Sequence, residues 1–165
     1  MARHFQGRID YMSEEKGNVG REYFSVTVET DGTRTLRCLC EMDLVNLVRD
    51  VTYTVDKDFR ALDCFVRVTG DHKFIGTGWF LFGDTWVEGE SYTAAEGRVS
   101  QRLETKSRVR LFGTHPIAVD IWKCVHMKTS NPGQAQVLDD CLRGRHHFVT
   151  TLTPRPTESF HELDE

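Results

Sequence analysis

A chain of 165 residues carries enough material for one domain with its own core and is too short for two ordinary ones. Its formal charge of −4 argues against a general binder of nucleic acid or of anionic membranes, either of which calls for a net basic surface. Met1 to Gly7 lacks the apolar run of a signal peptide, and no later stretch has membrane-spanning length, so a cytoplasmic protein with five free thiols is expected.

His4 to Tyr11 alternates apolar and polar residues as a first strand, and Ser13 to Gly20 breaks it with charge and glycine. From Glu22 the alternation resumes through Glu29. Thr30-Asp31-Gly32-Thr33 then carries an Asp-Gly hairpin signal, and Arg34 to Glu41 returns. Met42 to Val48 reads as a loop or a single helical turn, Arg49 to Asp56 as a strand, Lys57 to Arg60 as a turn, and Asp63 to Thr69 as a further strand.

The central hairpin is the densest signal. Lys73 to Phe82 is rich in aromatic and β-branched residues, Gly83-Asp84-Thr85 turns, and Trp86 to Thr93 returns. Gly76 and Gly78 share one face of it, which marks a sharp bend or a close approach to the backbone. Arg98 to Glu104 and Ser107 to Phe112 continue as strands, and Gly113-Thr114-His115-Pro116 interrupts them. Ile117 to Met127 fits either strand or a brief helix. After the break at Ser130 to Gly133, Val137, Leu138, Cys141 and Leu142 recur at helical spacing within Gln134 to Leu142, which predicts one short helix. His146 to Thr153 reads as a last strand.

The expected fold is therefore mainly β: an antiparallel meander closed or nearly closed into a barrel, without parallel crossovers, and with one short helix near the C-terminus. Residues 1–153 form the domain and residues 154–165 an acidic tail. A curved sheet wrapped around one helix is the alternative. In the order of its elements over Tyr23 to Phe112, the chain resembles the lipocalin-like single-barrel proteins, and that resemblance implies a small hydrophobic ligand. It differs from true lipocalins in that no Gly-x-Trp precedes the first barrel strand, while Gly78-Trp79 lies mid-chain.

Charge inside the strands is the pattern most relevant to a site. Arg49, Arg67, Glu88, Glu90, Arg98, Arg102, Glu104, Arg108 and Arg110 hold strand-like positions. They either coat a solvent face as cross-strand ion pairs or point into a lumen, where Glu88 and Glu90 would transfer protons and Arg98 or Arg102 would anchor a ligand carboxylate. Trp79, Trp86, Tyr53 and Tyr92 are the aromatic candidates for lining such a site. The tyrosines serve equally as core. His115, ahead of Pro116 and five residues before Asp120, is a candidate general acid or base, or else an ordinary loop histidine.

Cys38-x-Cys40 and Cys124-x-His126 each place two ligand types on one strand face, but this spacing is not that of a zinc knuckle, and no metal or other cofactor is expected. Phosphate loops, serine-hydrolase elbows, His-Glu-x-x-His helices and calcium loops do not occur in the sequence. The leading expectation is a binder of a small, largely apolar molecule, such as an aromatic carboxylate. A cofactor-independent isomerase, lyase or hydratase is the second reading and a partner-binding domain without a cavity the third. Homo-oligomerisation is compatible with each.

Overall fold

Inward apolar and outward polar residues alternate through eight strands, and burial of the apolar phase draws all eight into one sheet. The computed structural model describes residues 1–114, 116–122, 128–131, 134–136 and 141–143. Strands β1 (Arg3–Ser13), β2 (Gly17–Val28), β3 (Arg34–Met42), β4 (Leu47–Val55), β5 (Ala61–Gly70), β6 (Lys73–Phe82), β7 (Trp86–Thr93) and β8 (Gly97–Glu104) form an antiparallel meander in sequence order. A single 3-10 turn, Asp43–Val45, fills the stretch expected to be a loop or helical turn.

The turns follow local chemistry. The Asp31 carboxylate accepts the Thr33 N–H at 2.8 Å, and Gly32 takes the left-handed φ of 89° that the hairpin needs. Between β5 and β6, Asp71 and His72 both adopt positive φ, 48° and 60°, as a two-residue primed turn demands.

The sheet is not closed. Among the described residues β1 pairs only with β2 and β8 only with β7, so the expected barrel is replaced by an open sheet with two edges. The inner face is filled instead by the chain that follows β8. Val109 accepts the Ala61 N–H at 3.2 Å, Phe112 packs on Phe80 and Phe82 at centroid distances of 4.6 and 5.2 Å, and Trp122 meets Phe59 at 5.9 Å. These side chains join Leu36, Val51, Tyr53, Val55, Val68 and Val87 in one core. Side chains from the same polypeptide thus cover the apolar face without the sheet edges having to meet.

Two further expectations change. The strand anticipated from Ser107 begins only at β9 (Leu111–Gly113), because Thr105 folds back, its N–H on Thr85 O and its hydroxyl on Ser107 O, both at 2.8 Å. In place of the helix over Gln134 to Leu142, β11 (Gln134–Gln136) pairs with β10 (Lys128–Asn131), and β12 (Cys141–Arg143) pairs parallel with β9. A nine-residue amphipathic stretch is too short to hold a helix unaided, and pairing with an existing strand satisfies the same backbone groups. Parallel pairing was not expected from the sequence. The anticipated strand from His146 and the tail at 154–165 lie outside the described residues.

Candidate functional site

The register sorts the charged residues between two faces. Trp79 stands opposite Phe65 on β5 and Glu90 on β7, and Glu90 opposite Ser100 on β8, so these side chains share the outer face. Leu81, Glu88 and Arg102 form the adjacent outward row. Together Trp79, Leu81, Glu88, Glu90, Ser100, Gln101 and Arg102 line an open depression of about 260 Å³. Trp79 is its principal apolar surface, 45% exposed.

The charges around this depression are already engaged in ion pairs. Arg98 reaches Glu90 at 2.9 Å, while Arg102 bridges Glu88 at 2.5 Å and Glu104 at 2.8 Å. Arg102 also lies 4.7 Å from the Trp86 ring centroid, which holds the indole against the strand. The Ser100 hydroxyl, and then Arg98, hold the Glu90 carboxyl below the usual carboxylate range. Tyr92 stacks on Phe74 at 6.3 Å on the same outer face. The strand charges of β7 and β8 are therefore ion pairs across and along the strands of a solvent face, not a lumen network.

Five of the six residues expected to bind ligand, Arg98, Arg102, Trp79, Trp86 and Tyr92, lie on the outer face. Tyr53 does not join them. It is buried on the inner face, where its hydroxyl oxygen accepts the Phe112 N–H at 3.0 Å. Of the residues proposed for proton transfer, Glu88 and Glu90 rim the depression, and Asp120 lies in the 3-10 turn Ile117–Asp120 beneath the opposite face. His115 is outside the described residues.

The inner face carries a polar cluster around Glu22, which sequence reasoning passed over although it singled out Cys38, Cys40 and Arg49. Glu22 on β2 is fully buried. It accepts the N–H of Ile117 at 2.7 Å and of Ala118 at 2.8 Å, the Tyr11 hydroxyl, and the Cys38 thiol at 3.7 Å. The carboxylate thereby satisfies the first free amides of the turn behind Pro116 and ties the segment that crosses the inner face to β2. Cys40 lies between Glu22 and Arg49 in the strand register, and Arg49, 3% exposed, donates to Met42 Sδ at 3.2 Å.

This setting fixes the thiol chemistry. Burial first, and then the Glu22 carboxylate, push the Cys38 and Cys40 thiols up, Cys40 to about 12 despite the opposing pull of Arg49. Burial does the same to Cys64. Cys38, Cys40 and Cys64 are free, as expected, whereas Cys124 and His126 lie outside the described residues. Among the described residues no three His, Cys, Asp or Glu side chains converge as a metal site. In the folded protein, thiol-specific alkylation at pH 8 is expected to leave Cys38, Cys40 and Cys64 unmodified, with all three reacting once denaturant is added. Mass mapping of the labelled peptides reads this directly, and modification of Cys38 or Cys40 at the rate of a free thiol would contradict the buried arrangement.

No helix among the described residues is long and apolar enough to cross a membrane. No family model matches the chain, and no curated protein or solved structure resembles it closely enough to count as a match.

Proposed function

We propose that this protein is a binding domain that takes a flat, largely apolar group on the outer face of β6, β7 and β8, in contact with Trp79. The observation that carries this reading is the half-exposed Trp79 ring beside an open depression whose polar rim is already ion-paired. A wide aromatic face supplies contact area at little cost in side-chain entropy, and neighbours already held in ion pairs add little further desolvation cost. The apolar half of the expected ligand fits this face.

The carboxylate half fits it less well. Arg98 and Arg102 already serve Glu90, Glu88 and Glu104, so the local balance is three carboxylates to two guanidiniums and favours neutral or cationic aromatic groups over anionic ones. Acid-base catalysis has weaker support, since Glu90 is held below the ordinary range, opposite to what a general acid near neutral pH requires.

Three compounds sharing one ring test the reading: p-cresol, tyramine and 4-hydroxyphenylacetate, titrated while the indole N–H resonance of Trp79 is followed. Tyramine and p-cresol are expected to shift it with dissociation constants on the order of millimolar, and 4-hydroxyphenylacetate to bind more weakly. Trp79→Ala is expected to abolish the saturable shifts of neighbouring backbone resonances. Arg98→Ala or Arg102→Ala is expected to change the dissociation constants less than about fivefold, because both guanidiniums are solvent-exposed. A preference for the carboxylate, lost in either arginine variant, would overturn this assignment and restore arginine as an anchor.

A further inference from the structure

The two edges of the sheet are not equivalent. Along β8 the outward positions Arg98, Arg102 and Glu104 are exposed charges, a common guard against edge-to-edge pairing. β1 runs for eleven residues with no Lys or Pro, its exposed charges Arg8 and Asp10 are of opposite sign, its one irregularity lies near its end between Tyr11 and Met12, and Phe5 on its inner face is 54% exposed. Among the described residues its second edge has no strand beside it. A long, regular strand with a free row of backbone donors and acceptors is a template for one more strand.

The side chains of β1 select the occupant. A two-fold axis perpendicular to the sheet keeps each residue on its own face, so a second β1 pairs about one central residue. Centring on Arg8 or on Asp10 sets like charges directly opposite each other. Centring on Ile9 sets Arg8 against Asp10 of the second copy twice over, Ile9 against Ile9, and Tyr11 against Gly7, over which the Phe24 ring lies. Within one chain Arg8 and Asp10 already lie side by side, 2.6 Å apart and about half exposed, so the pairing would complete a four-charge cluster on the outer face. We propose that the protein forms a two-fold homodimer by antiparallel pairing of β1 with β1 in the register centred on Ile9, continuing the sheet across both copies.

This proposal is independent of the binding face at the other end of the sheet. Sedimentation of the full chain at micromolar concentration is expected to give a dimer, and a monomer at every concentration would overturn it. Arg8→Asp places two carboxylate pairs across the axis and is expected to raise the dimer dissociation constant roughly tenfold or more, with folding checked by circular dichroism. The swap R8D/D10R restores opposite charges and is expected to restore the dimer. If the swap is no tighter than R8D, the register is wrong. As an independent reading, Ile9→Cys is expected to give a disulfide-linked dimer under mild oxidation, whereas Gln6→Cys, off the axis, is not. Failure of Ile9→Cys to link, or equal linking by both variants, would likewise overturn the proposal.

Discussion

Replacing Glu22 by alanine is expected to cost about 3–5 kcal/mol of unfolding free energy. The carboxylate is fully buried and accepts from two backbone amides, a tyrosine hydroxyl and a thiol. Its removal leaves the N–H groups of Ile117 and Ala118 without their acceptor beneath the sheet. Each such orphan costs about 1–3 kcal/mol, and the Tyr11 hydroxyl adds to the sum. Glu22→Gln is expected to fall between alanine and wild type: its one carbonyl oxygen serves Tyr11 and Ile117, while its amide nitrogen faces the Ala118 N–H donor to donor. Urea unfolding of the three proteins measures the series. A loss below about 1 kcal/mol for Glu22→Ala would mean that the crossing segment is not held by this anchor.

The second large effect is expected at Phe112. Its ring is 1% exposed and wedged against Phe80 and Phe82, and its N–H is donated to Tyr53. Phe112→Ala is expected to cost about 3–5 kcal/mol through lost burial and the cavity left between β4 and β6. Phe112→Leu should retain most of the stability, because it keeps much of the volume and the backbone donor. Glu22 and Phe112 hold one segment at two points, so the double substitution is expected to cost less than the sum of the single ones. Full additivity would show that the two anchors act independently.

The strands were legible in the sequence because half-buried antiparallel strands write their faces into period-two alternation. From Tyr23 to Glu104 each expected strand has its counterpart, with ends shifted by a few residues except at Gly17, where β2 starts five residues before the anticipated Glu22. Closure was not legible, since it depends on whether two edge strands meet, and β1 and β8 carry the same alternation in a barrel as in an open sheet. The helix near the C-terminus failed for a related reason: over nine residues, helical spacing is a weak signal beside the pairing offered by β9 and β10.

At the site, the outer-face aromatics and ion pairs were visible as residues but not as a side. Glu22 was passed over although a signal was present. It falls in the same phase of β2 as Phe24 and Val26, the apolar face, where an acid calls for a buried partner. Arg49 repeats that signal on β4, in phase with Val51, Tyr53 and Val55. Two partners of Glu22 are amides some ninety-five residues away, and no local pattern announces a contact of that separation.

The proposed outer binding face rests on the sheet being open, with its inner face filled by the crossing segment, and NMR contacts between strands test that openness most directly. Proton contacts should join each of the seven adjacent pairs from β1–β2 to β7–β8, and Phe112 to Phe80 and Phe82, with none linking Arg3–Ser13 to Gly97–Glu104 of the same chain. The β8 amides that point away from β7 should exchange rapidly with solvent. A ladder of contacts between β1 and β8 within one chain, with those amides protected, would mean a closed barrel and return the ligand to its lumen.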